Sequence, residues 1–119
     1  MTEGPHQKAF DFLIGRSVNQ LSVGLYEFQI VFDDEISISV LSDVKLDKPD
    51  TQNILIKADQ PEQTKELVCL LGLTVIGCQM DGNESLTLQF SNAYSITLYA
   101  SNEGVDSYVV WNKGNYIAT

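Results

Sequence analysis

Two kinds of apolar spacing follow one another along this chain, and the succession occurs twice. Phe10, Leu13 and Ile14 stand at i, i+3 and i+4, and so do Leu67, Leu70 and Leu71. That spacing predicts a short helix with one apolar face. Each run ends on a glycine, Gly15 or Gly72, in the position of a left-handed helix stop. In the second run Asp59 or Gln60 can cap the start, with Pro61 in the first turn and Glu62 placed for a capping box if Asp59 is the cap. The period then drops to two. Strands are predicted to begin at Ser17-Val18 and Thr74-Val75. They continue as Phe28, Ile30, Phe32 against Leu86, Leu88, Phe90, and as Ile36, Ile38, Val40 against Tyr94, Ile96, Leu98. Such alternation predicts antiparallel strands with one buried face.

Turn signals separate the strands. Asp81-Gly82 in one half and Gly24 in "VGLY" in the other supply the freedom for the first hairpin. The second hairpin turns on Asp33-Asp34-Glu35 in one half and Ser91-Asn92-Ala93 in the other. The stretch "SDVKLDKPDTQ", residues 42–52, reads as a charged loop. "NILIKA" at 53–58 then reads as a fourth strand, matched by "SYVVWN" at 107–112.

The two halves superpose along the sequence. "LIGRSV" from Leu13 returns as "LLGLTV" from Leu70, an offset of 57 residues, and after one insertion Phe32, Ser37 and Ile38 fall on Phe90, Ser95 and Ile96. A matched period of this length indicates duplication. Residues 1–119 are expected to form a single domain, with halves of approximately 6–58 and 59–119. The fold class is α+β: a duplicated α-β-β-β-β unit, about eight mainly antiparallel strands in two sheets or one curled sheet, and two short helices. A half alone has a thin core, so the halves are expected to bury each other's apolar faces.

Composition narrows the function more than the fold. Sixteen acids against seven bases give a formal charge of −9 over 119 residues. Such a field repels nucleic acid and anionic membranes and favours a basic partner. No apolar run is long enough for a membrane-spanning helix. "MTEGPHQKAF" has no basic start followed by an apolar run, so a cytoplasmic location is expected.

Candidate chemistry is sparse. Cys69 and Cys78 lie in apolar runs and are expected to act as small buried hydrophobes. His6, the only histidine, has no metal-ligand spacing beside it, although a Cys69–His6 pair could meet in space. The glycines form no phosphate cradle, and the lysines and Arg16 form no patch. We therefore expect no catalytic residue, no metal and no cofactor: the protein is not read as an enzyme. Tyr26, Tyr99, Tyr108, Trp111 and Tyr116 fall in turns or late strands, as aromatics of a protein-binding face do, although core packing is the expectation for Trp111.

The segment "LLGLTVIGCQMDGNESLTLQFSNAYSITLYAS" and its earlier echo resemble the bacterial immunity proteins of contact-dependent growth inhibition toxin–immunity pairs. The resemblance lies in architecture and strand pattern across most of the chain. It implies a non-catalytic inhibitor that binds a cognate toxin domain, such as a basic nuclease, and blocks its active site. The acidic turn Asp33, Asp34, Glu35 is then the first candidate for toxin binding, since the other half carries neutral Ser91-Asn92-Ala93 there. Asp43, Asp47 and Asp50 are next. Two other readings stay open: a module for a small ligand held between the sheets, and an accessory subunit of a larger bacterial complex.

Overall fold

The computed structural model describes residues 7–49, 53–80, 85–99 and 107–118, with the backbone alone for 7–9 and 116–118. Among these residues are ten strands: β1 Val18–Val23, β2 Phe28–Phe32, β3 Ile36–Val40, β4 Val44–Asp47, β5 Ile54–Ile56, β6 Val75–Met80, β7 Leu86–Phe90, β8 Ser95–Leu98, β9 Tyr108–Asn112 and β10 Asn115–Ala118. They form two five-stranded sheets, ordered β1-β2-β3-β9-β10 and β5-β4-β8-β7-β6. Every strand pair is antiparallel. The α+β class and the duplication hold, and two sheets replace the alternative of one curled sheet.

The halves exchange strands. β1, β2 and β3 make a meander, but β4 and β5 leave it and extend the sheet of the second half, where β4 pairs with β8. In return β9 and β10 extend the first sheet, where β9 pairs with β3. The registers correspond: Val44 faces Leu98 and Leu46 faces Ile96, while Tyr108 faces Val40 and Val110 faces Ile38. So β4 is the counterpart of β9, and β5 of β10. This corrects the matching of 53–58 with 107–112 and adds a strand inside the predicted loop 42–52. In β4, Val44 and Leu46 are buried while Lys45 and Asp47 are half-buried. Its two-residue period was hidden by the ion pair on its outer face, Lys45 Nζ to Asp47 Oδ2 at 3.7 Å.

One apolar cluster joins the layers. It draws Phe28, Ile30 and Ile38 from one sheet, Leu46, Leu88 and Ile96 from the other, and Phe10, Leu13, Leu67 and Leu70 from the helical segments. Neither sheet's inner face is covered by its own half alone. The duplication extends to local defects. Both β1 and β6 carry a register shift against their partners, between Val18 and Gln20 and between Val75 and Gly77. Each extra residue bends its strand.

The helical segments are tighter than the spacing predicts. Gln7–Leu13 is a 3-10 helix, and the four-residue α1, Pro61–Thr64, passes into a 3-10 helix at Lys65–Leu70. With three residues per turn, positions i and i+3 eclipse and i+4 swings away. Phe10 with Leu13 and Leu67 with Leu70 are accordingly buried, whereas Ile14 and Leu71 are each 43% exposed. The start of α1 has Gln60 as its cap residue without a side-chain cap bond. Instead Gln63 Oε1 accepts from the Lys57 amide at 3.0 Å. Among the described residues no helix is long and apolar enough to cross a membrane.

The repeated glycine segments meet each other. Gly15 N donates to Val75 O at 2.8 Å and Gly72 N to Val18 O at 2.9 Å. Val75 N donates to Arg16 O and Val18 N to Leu73 O, both at 2.9 Å. Ser17 and Thr74 pair between them as an antiparallel bridge, with Oγ to Oγ1 at 3.1 Å. Every contact has its image under the 57-residue offset. Gly15 and Gly72 have φ of +92° and +85°, and nothing lies within 4 Å of where a Cβ would sit on either. A side chain there would meet only the backbone penalty. Gly15→Ala and Gly72→Ala should therefore each cost about 1–2 kcal/mol in urea unfolding, by similar amounts. A neutral result at either would show that the left-handed stop is no constraint.

Candidate functional site

The predicted acidic site lies on the β2–β3 turn. Asp34 and Glu35 have φ of +60° and +61°, and Ile36 N donates to Asp33 O at 3.4 Å. Two positive φ values at the centre give a turn that matches the twist of its strands. Asp tolerates this conformation better than Glu does. The matching turn differs: Ala93 N donates to Phe90 O at 3.2 Å and Ala93 alone is left-handed, with φ of +63°. Ser91-Asn92-Ala93 is thus a different turn of the same length. Both turns hang from the paired glycine segments, Asp33 N on Ser17 O at 3.1 Å and Ser91 N on Thr74 O at 2.9 Å.

The three acids do not act as three free charges. Asp34 Oδ2 lies 3.3 Å from Arg16 Nη1 and 3.2 Å from Lys113 Nζ. Asp33 Oδ1 lies 3.8 Å from the same Arg16 nitrogen. Lys113 N also donates to Glu35 O at 3.1 Å. Two cations therefore offset two carboxylates, and Glu35 is left as the turn's one acid without an ion pair among the described residues. The network also ties the β9–β10 turn, which comes from the second half, to the first. With Asp33 and Asp34 nearly half exposed, each pair contributes about 1 kcal/mol or less.

The second group of predicted acids is dispersed. Asp47 is on β4, paired with Lys45 and accepting from Ser95 Oγ at 3.4 Å. Asp43 is half-buried in the connection from β3 to β4. Asp50 lies outside the described residues. Nearby, Lys48 Nζ reaches Glu66 Oε1 at 3.6 Å and pins the exchanged β4 arm to the second helical segment. These acids share no single site with Asp33, Asp34 and Glu35.

The aromatics are redistributed. Tyr108 is the fully buried one, while Trp111, expected in the core, is 36% exposed on the outer face of β9. Its Nε1 donates to Ser39 Oγ at 3.2 Å, and Gln29 Nε2 donates to the same oxygen at 3.2 Å. Strand parity explains the change, because Tyr108 and Val110 already take the inward positions. Tyr99 is half-buried, and the side chain of Tyr116 is outside the described residues.

A surface not singled out by the charge pattern stands at the far end of the first sheet. Between β1 and β2, Leu25 is 71% and Tyr26 76% exposed. Gly24 N closes the turn on Glu27 O at 2.8 Å. Gly24 has no left-handed φ. A Cβ there would make a tight contact with Glu27 O at 3.2 Å, which glycine avoids. The signal for this surface was present in the comparison of halves: "VGLYE" against "MDGNE". The Asp81-Gly82 turn itself lies outside the described residues.

Both cysteines are free thiols. Burial pushes Cys78 up to about 11, with Asp11 adding to the rise, and burial raises Cys69 as well. Both are therefore protonated near neutral pH and poor nucleophiles. Cys69 Sγ donates to Glu66 O at 3.2 Å. His6, the base that could have paired with Cys69, lies outside the described residues. Among the described residues no three His, Cys, Asp or Glu side chains gather as a metal site.

Residues 11–118 match a family described as a family of unknown function, DUF6188. No curated protein matches the chain, and no solved structure does.

Asp34→Asn should lower stability by no more than about 1 kcal/mol at low salt, with the difference fading toward 1 M salt. Glu35→Gly should raise stability by about 1 kcal/mol, because glycine relieves the positive φ. Denaturant midpoints across a salt series measure both. A salt-independent loss in the first variant, or a loss in the second, would contradict the geometry.

Proposed function

We propose that this chain, which belongs to the DUF6188 family, is a non-catalytic immunity protein that binds and neutralises a basic toxin domain. The observation that carries this reading is the state of its surface charge. The formal charge is −9. Asp11, Glu27, Glu35 and Asp43 make no ion pair among the described residues. These acids are available to a cationic partner, whereas Asp33 and Asp34 are engaged with Arg16 and Lys113.

The physics of inhibition follows from that field. A nuclease carries cations along the groove that holds phosphate. A negatively charged protein approaches such a groove faster than a neutral one and fits its potential, without chemistry of its own. Occupancy of the groove then excludes the substrate. The resemblance of the duplicated strand pattern to immunity proteins supports the same reading. Location in the cytoplasm belongs to this proposal, since a toxin that acts inside the cell must be met there.

The reading requires a gene beside this chain's own that encodes a secreted protein with a toxic C-terminal domain, and the test is co-expression with that domain. Growth should be rescued by this chain and not by an unrelated acidic protein of similar size. Absence of such a gene, or failure to rescue with both proteins soluble, would reject the reading.

A further inference from the structure

We infer that the β1–β2 hairpin end anchors the basic partner, with Leu25 and Tyr26 as the inserted side chains and Glu27 and Asp43 as the charged rim. The inference rests on the proposed immunity function and adds where and how the toxin is held. Leu25 and Tyr26 are the two most exposed large apolar side chains among the described residues, at 71% and 76%. Val23 and Leu41, each 46% exposed, stand at the same end. Register places them at one end of the sheet, on opposite faces. Val23 faces Phe28, and Phe28 faces Val40, so Glu27 and Leu41 follow on adjacent strands at the same end. Leu41 N is held by Ser107 O at 2.8 Å, and Asp43 stands two residues farther on. An open groove of about 430 Å³ runs beside the tip, lined by Ser22, Val23, Gly24, Glu27, Phe28 and Gln29.

Folding does not require apolar residues here, since the duplicate half has "DGN" after Met80 where this one has "GLY" after Val23. An exposed Leu-Tyr pair costs solubility and gains nothing for the core. Tyrosine at a protrusion is a frequent binding anchor. The Gly24–Glu27 closure holds the tip in place, so less freedom is lost on docking. Charge selects the occupant. Glu27 follows Tyr26 and Asp43 lies two residues past Leu41, and neither makes an ion pair among the described residues. A second copy of the chain would bring another −9 against them. A cleft with an apolar floor and a lysine or arginine rim complements both features.

The experiment titrates the catalytically inactivated toxin domain from the neighbouring gene into this protein by calorimetry. Leu25→Ser with Tyr26→Asn should weaken binding about 100-fold or more. In stopped-flow mixing of the same two proteins, Glu27→Gln with Asp43→Asn should slow association about tenfold and flatten its salt dependence. Asp59→Asn with Glu62→Gln, a charge-matched control on another surface, should bind like the parent. Circular dichroism and melting temperatures should match the parent throughout. Normal binding by the Leu25/Tyr26 variant would overturn the anchor and leave the function standing. Absence of binding by the parent protein would overturn the function and the anchor together. A concentration-dependent dimer of the parent that this variant abolishes would reassign the tip to self-association and overturn the inference.

Discussion

The architecture depends on one contact, in which the repeated glycine segments bind each other. Four backbone hydrogen bonds and the Ser17–Thr74 pair join Gly15–Val18 to Gly72–Val75, each bond with its image in the other half. At about 1 kcal/mol net apiece, such bonds stabilise far less than the apolar core does. Their effect is geometric. They place the ends of both helical segments, the starts of β1 and β6, and the hanging points of the β2–β3 and β7–β8 turns. A helix stop that needs positive φ is thereby also a dimer-like joint within a single chain.

Strand exchange makes that joint consequential. With β4–β5 in one sheet and β9–β10 in the other, neither half can complete its own sheet. Ion pairs secure both exchanged arms: Lys48 with Glu66 for one, Lys113 with Asp34 for the other. Acids that read as a binding site thus also take part in assembly. The surface proposed to hold the partner is the opposite end of the first sheet, where the halves differ in apolar character and the core makes no demand.

Much of the fold was legible in the sequence because its signals are local. The 57-residue offset predicted paired elements, and φ at Gly15 and Gly72 confirmed the stops. What was hidden is non-local or masked by charge. Strand exchange leaves no trace in a period-two pattern. The Lys45–Asp47 pair made β4 look like a loop. Leu71 and Ile14 turned outward because the helices tightened to three residues per turn. Trp111 lost its core place to parity, with Tyr108 inward. At the candidate site, the densest acidic run is plain in the sequence, but its cations, Arg16 and Lys113, are distant from it along the chain. Leu25 and Tyr26 were visible all along as a disagreement between the halves, which composition alone does not weigh.

The claim beneath all of this is that the two halves are one cooperative unit locked at the glycine segments. Native-state hydrogen exchange at the amides of Gly15, Val18, Gly72 and Val75 tests it most directly, because those four donors make the joint. All four should exchange only by global unfolding, with equal opening free energies that fall together in denaturant. Exchange of one pair through a lower-energy local opening, while the other pair stays protected, would contradict it.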